Sequence, residues 1–240
     1  MEFNELGIES KPDWNRIRHL MKVGILAGIL VLAGDMILGW GICDESLNGF
    51  DLYFSRYLTV SDLRIVLSAI LGLIGIPLEV LSYFGIYRLI VPYSKKDAHA
   101  YRSGLLGMLT FGALTHVLCC MIVYLGKMMY RLDPENAVSV IIRSASSFLL
   151  PVTVLFLIFY ILTAFVQLMA FLRGHTSYPR WCWIFNPISG LILAIPLKAI
   201  GDYALTNALA TGWISIGSLF MLTGLLLMGG SAEGKERRYE

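Results

Sequence analysis

Six runs of roughly 20 apolar residues punctuate this 240-residue chain, at 21–40, 65–90, 103–126, 148–172, 187–203 and 208–228. At about 1.5 Å per residue, such a run in helical form matches the ~30 Å hydrocarbon core of a bilayer. Lipid cannot satisfy exposed backbone polar groups, so a continuous apolar run crosses as an α-helix. Composition agrees: 57% of residues are hydrophobic and 15% charged, against roughly 45–50% and about 25% in soluble domains. The chain is therefore predicted to be all-α, a single polytopic membrane domain over residues 1–240 with six transmembrane helices. The same numbers exclude a disulfide scaffold, a disordered chain and a basic nucleic-acid module. The bilayer, and no nucleic acid, is the implied partner.

The run at 187–203 is the shortest, but its start is well marked. Asn186 is a good N-cap and Pro187 suits the first helical position, where its missing N–H costs nothing. Asp133 and Pro134 give a second start signal in the connection 127–147, followed by Val138, Val140, Ile141 and Ile142. That stretch is too short to cross and predicts a short interfacial helix ahead of span four.

Basic residues set the orientation, because Lys and Arg favour the cytoplasmic side. Of the 19 Lys and Arg residues, thirteen fall on one side: Lys11, Arg16, Arg18, Lys22, Arg88, Lys95, Lys96, Arg102, Arg173, Arg180, Lys235, Arg237 and Arg238. The other six, Arg56, Arg64, Lys127, Arg131, Arg143 and Lys198, share their side with Asp44, Glu45, Asp51, Asp62, Asp133 and Glu135. This predicts a cell-membrane protein with both termini cytoplasmic and an acidic outer face. The first 20 residues are too polar for a signal peptide's basic lead, so the first span is read as retained.

The chemistry-bearing residues are sparse. Cys43, Cys119, Cys120 and Cys182 are not placed to pair, and no Cys/His spacing fits a metal. No phosphate-binding glycine loop and no Gly-x-Ser-x-Gly elbow occurs, so no cofactor is implied. Of the four histidines only His116 falls within an apolar run.

Tyr178-Pro179-Arg180-Trp181, then Phe185-Asn186-Pro187 opening an apolar helix, with Gly34-Asp35 in the first span, resemble an uncharacterised family of bacterial multi-pass membrane proteins. The resemblance covers most of the chain, implies six helices and brings no activity. Read as chemistry, Arg180 can meet lipid phosphates while Trp181 and Trp183 suit the interfacial aromatic belt.

Ionisable groups inside apolar runs are costly and commonly mark a site or pathway. By helical rise, Asp35 and Lys198 lie about 7 Å below the outer end of their spans, His116 about 12 Å and Glu79 about 20 Å. Asp202 sits near the rim. Lys198 and Asp202 are four apart, the spacing of a helical ion pair, and Asp35 is placed to reach Lys198. A carboxyl group at the depth of Glu79 either finds a cation or stays protonated, and no Lys or Arg is expected at its level. Small and polar residues share faces: Ser68, Gly72, Gly75, Glu79 and Tyr83; Thr153, Tyr160, Thr163 and Gln167; Gly24, Gly28 and Asp35; Thr211, Ser215 and Ser218. Such stripes are also ordinary helix-packing material.

Three functions fit. The first is binding of a small hydrophobic or lipid-like molecule in a polar intramembrane pocket open to the outer leaflet, with Asp35, Glu79, His116, Lys198 and Asp202 as candidate ligand-binding residues. The second is a proton- or ion-coupled transporter, and the third an accessory protein whose polar residues only specify packing. Enzymatic activity is undecided, because no nucleophile, base and oxyanion stabiliser assemble from the sequence. The oligomeric state is not encoded in any readable feature.

Overall fold

A computed structural model describes residues 12–236; within that range the side chains of Lys198, Ser231 and residues 234–236 lie outside the description. The basic residues Lys11, Arg237 and Arg238, and the side chain of Lys235, used above for orientation, therefore fall outside the described set.

The described chain is helical, with no strand. Helix α1 (Trp14–Gly39) opens on Asp13, whose carboxylate accepts from the Arg16 amide at 3.0 Å. A short α2 (Gly49–Leu58) leads to α3 (Asp62–Ser82), capped by Ser61, and to α4 (Phe84–Ile90), which continues past a break at Tyr83. Helix α5 (Lys95–Leu132), capped by Ser94, is 38 residues long. Helix α6 (Pro134–Ser144) passes through a π-helical turn (Ala145–Leu149) into α7 (Leu150–Arg173), which ends at Gly174 in the left-handed region (φ 75°). There the His175 amide returns to the Ala170 carbonyl at 2.8 Å, a Schellman closure. A 3-10 turn (Arg180–Ile184) precedes α8 (Ser189–Ile200), α9 (Ala204–Thr211) and α10 (Trp213–Glu236).

Five of these segments are long and apolar enough to cross a membrane: Trp14–Gly39, Asp62–Ile90, Lys95–Leu132, Pro134–Arg173 and Trp213–Gly230. The run expected as span five is built differently. Its regular part, α8, has 12 residues, about 18 Å at helical rise, and stops at Gly201, where φ is 130°. Beyond Gly201 the chain turns into α9, which bends at Gly212 into α10. The expected interfacial helix after Asp133 does start at Pro134, yet it is the first part of a 40-residue helical rod rather than a separate element. Pro151 explains the π turn: it supplies no N–H, and the Leu150 amide just before it reaches back five residues to the Ala145 carbonyl.

The helices close into a ring. Helices α1 and α3, α3 and α5, α5 and α7, and α1 and α10 pack side by side. The ring shuts where Phe185 packs on Phe220 and the Gln167 amide donates to the Phe185 carbonyl at 2.7 Å. Helices α8 and α10 touch backbone to backbone: a Cβ on Gly190 would stand 1.9 Å from the Trp213 carbonyl, and one on Gly217 1.9 Å from that of Pro187. Only glycine permits that approach. Arg18 of α1 pairs with Glu233 of α10, so both ends of the described chain lie at one face, here called the basic face. Tyr178 anchors the loop after α7 there, buried against Trp14 and Phe171 and donating to the Leu225 carbonyl at 2.8 Å. Trp181 and Trp183, about half exposed, point outward.

Candidate functional site

The ring's centre is where the polar stripes meet. Ser68, Gly72, Gly75, Glu79 and Tyr83 are all buried, as are Tyr160, Thr163, Gln167, Gly24, Gly28, Ser215 and Ser218. Asp35, Thr153 and Thr211 are half-buried. Two linked clusters result.

The first lies in the half of the bundle away from the basic face. His116 of α5 sets Nδ1 3.4 Å from Asp35 Oδ1 of α1 and Nε2 3.0 Å from the Ser68 carbonyl of α3. Ser68 Oγ lies 3.3 Å from Nε2, and Cys120 Sγ donates to it at 3.6 Å. Asp35 Oδ2 accepts from Ser215 of α10 at 2.7 Å. The imidazole fits because Gly72 has no side chain: a Cβ there would meet His116 Cδ2 at 2.1 Å. Asp35, His116 and Ser68 stand in the order of a hydrolytic triad, but the geometry does not support that chemistry. Nε2 faces a carbonyl, which only accepts, and so is occupied as a donor where a base must accept the serine proton. Ser68 is also fully buried.

The second cluster lies about 10 Å deeper, seven residues along α1. The Glu79 carboxyl, 6% exposed, sits by Gly28, with an oxygen 3.8 Å from where a Cβ there would stand. It is within reach of the Ser218 and Tyr83 hydroxyls, which are 2.5 Å apart. Tyr160, 1% exposed, interacts electrostatically with Glu79, and its hydroxyl has no hydrogen-bond partner. Among the described residues no Lys or Arg pairs with Glu79. Ser215, on the first cluster, and Ser218, on the second, stand three apart on one face of α10, and the Ser218 hydroxyl donates to the Ile214 carbonyl at 3.1 Å.

Asp202 belongs to neither. The helix ends at Ile200, so Lys198 and Asp202 do not share a helix as expected, and the Lys198 side chain lies outside the description. The described partners of Asp202 are the Cys43 amide, from which it accepts at 2.7 Å, and Asn207. Burial pushes its carboxyl up, but the hydrogen bonds from Asn207 and Cys43, with Arg56 nearby, outweigh that and hold it below the usual carboxylate value. The expected reach of Asp35 to Lys198 involves a side chain outside the description; the partners described for Asp35 are His116 and Ser215.

None of Asp35, Glu79, His116 or Asp202 lines the three open cavities described, at the α1–α8–α10 face, at the α3–α5–α6 face and beside Arg64. The second of these, about 900 Å³, is apolar and bounded by Ile65, Val66, Ala69, Val117, Met121 and Phe148, with Asp62 at its end. Cys120 lines it as well. Asp62 is paired there with the buried Lys127, which also donates to the Val60 carbonyl.

Sequence reasoning did not anticipate α2, whose Arg56 is buried between two tyrosines and donates to Tyr53 and Tyr57 at 2.9 and 2.6 Å. The Tyr-x-x-Arg-Tyr spacing could have signalled it, since it puts both rings within a turn of the guanidinium.

These features define an all-helical bundle with five helices apolar enough to span a membrane and a polar seam in its interior. The chain belongs to a family of unknown function (DUF6796), which it matches over residues 1–231. No curated protein and no solved structure matches it.

Proposed function

We propose that this protein is a single-domain, multi-pass component of the cell membrane, with both termini cytoplasmic, that binds an amphiphilic, lipid-like molecule in the groove between α3, α5 and α6. The half-length α8, with the chain leading into it, takes the place of the remaining span. The observation that carries the reading is Cys120: it forms part of the groove wall and is hydrogen-bonded to Ser68, itself in contact with His116, which reaches Asp35. A molecule in the groove is thus one side chain away from the buried polar cluster. The volume, about 900 Å³, lies within the ~300–1,000 Å³ of small-molecule sites. Asp62, held by Lys127, and Ser144 offer polar contacts at the outer end, and Ala69 and Val117 an apolar channel for a chain. This moves the site from the expected polar pocket to an apolar groove backed by polar residues.

The test is mass spectrometry of lipids and metabolites retained by the purified full-length protein, compared with Ala69→Phe, which fills the groove. A species enriched in wild type and lost in the variant supports the assignment. Identical retained species in both, with the variant folded, overturn it.

A further inference from the structure

Glu79 is embedded in hydroxyl groups, and among the described residues no cation balances it. The groups facing it come from each neighbouring helix: Asp35 from α1, Tyr83 at the end of its own helix, Tyr160 from α7 and Ser218 from α10. Tyr101 of α5 stands behind Tyr83 and donates to Gln167. An ionised carboxylate there would be an uncompensated charge in an apolar bundle. A neutral acid is instead both donor and acceptor, and the unpartnered, fully buried Tyr160 hydroxyl is a second group seeking a partner at the same place. Asp35, half-buried and nearer the opposite face, is the next carboxyl group on the seam, and Ser215 binds it directly.

We propose that Glu79 is an exchangeable proton site, reached from Asp35 through Ser215, Ser218 and Tyr83, with the Tyr160 hydroxyl as a further partner of the acid. The proton leaves the Glu79 carboxyl for a neighbouring hydroxyl oxygen as that hydroxyl passes its own proton onward, the Ser218 hydroxyl turning from the Ile214 carbonyl toward Ser215 to do so, and each relay group ends with the number it began with while Asp35 gains one. The relay does not require a molecule in the apolar groove.

Infrared spectroscopy of the full-length protein in lipid nanodiscs tests it. At pH 7 a carboxylic-acid C=O band should be present in wild type and absent in Glu79→Gln. On transfer to D₂O its isotope shift should develop about tenfold more slowly in Asp35→Asn and in Ser215→Ala, an added barrier of roughly 1.4 kcal/mol. Tyr160→Phe, which keeps the ring's packing, should move the band's frequency. Absence of the band in folded wild type overturns the site. A band whose exchange is unchanged in both Asp35→Asn and Ser215→Ala overturns the path, and an unmoved band in Tyr160→Phe removes Tyr160 from it.

Discussion

His116 and Asp35 meet across α3, 3.4 Å apart, at the level where α3 carries Gly72 rather than a side chain. Helices α1 and α5 each pack on α3, so this contact bridges two helices that flank a third. It depends on the missing Cβ, which leaves the imidazole lying against the α3 backbone.

Gly72→Ala should therefore be severe for so small a change. The added methyl meets Cδ2 and Nε2 of the ring at 2.1 and 2.5 Å, and overpacking of a dense interior costs about 1–3 kcal/mol. The expected outcome is a lower thermal midpoint in detergent and loss of the His116–Asp35 contact. The double variant Gly72→Ala/His116→Ala should recover part of the midpoint, because it removes the clashing ring. A midpoint unchanged in Gly72→Ala would contradict the close approach.

Asp202 gives a pH prediction. Its carboxyl is held below the usual value of 3.8 by Asn207 and the Cys43 amide, despite burial acting the other way. A carboxyl depressed in the folded state adds stability above its unfolded value, and that stability is lost as pH falls through the folded value. The midpoint should hold above about pH 5 and drop below pH 4, with a shallower drop in Asp202→Asn. Equal acid limbs in the two proteins would contradict it.

Much of the seam was legible because helical spacing alone decides which residues share a face. The stripe from Ser68 to Tyr83 is buried throughout, and the stripes of α7 and α10 face the same interior. Periodicity does not say which faces meet, and for that reason Ser215 gave no sign of its bond to Asp35 180 positions away. Spacing also misleads where a helix stops. Lys198 and Asp202 read as partners only while the helix is taken to continue, and Gly201 between them was the available warning. The cavity was illegible for a related reason: it lies on the outer side of α3 and α5, lined by residues that look like ordinary lipid-facing positions.

Orientation can be checked with Asn48 and Lys95, both exposed and near opposite ends of the bundle. In a Cys43→Ser background, an impermeant thiol reagent applied to intact cells should modify Asn48→Cys and leave Lys95→Cys unmodified until the cells are opened. Modification of Lys95→Cys in intact cells would reverse the assignment drawn from the basic residues.

Asn186 is the residue whose sequence signal and structural role can be separated by substitution. The expected cap is not formed: the helix begins at Ser189, with Ile188 at the cap position and Pro187 in the turn before it, and Asn186 Oδ1 instead closes that turn by accepting from the Ile188 amide at 3.1 Å. Its Nδ2 donates to the Ala164 carbonyl of α7 at 2.9 Å, a role the sequence did not suggest. The side chain is 4% exposed, so neither group is readily replaced by water. Loss of the turn's hydrogen bond costs about 0.5–1.5 kcal/mol, and the stranded Ala164 carbonyl adds a penalty of roughly 1–3 kcal/mol. Asn186→Ala should therefore lower stability by more than the turn bond alone explains. Asn186→Asp keeps the acceptor but, when ionised, has no donor for Ala164 and places a charge in the interior, so it should not rescue stability at neutral pH. Rescue by aspartate, measured as a wild-type denaturation midpoint, would show that the turn bond is the whole role and that the bond to α7 contributes nothing.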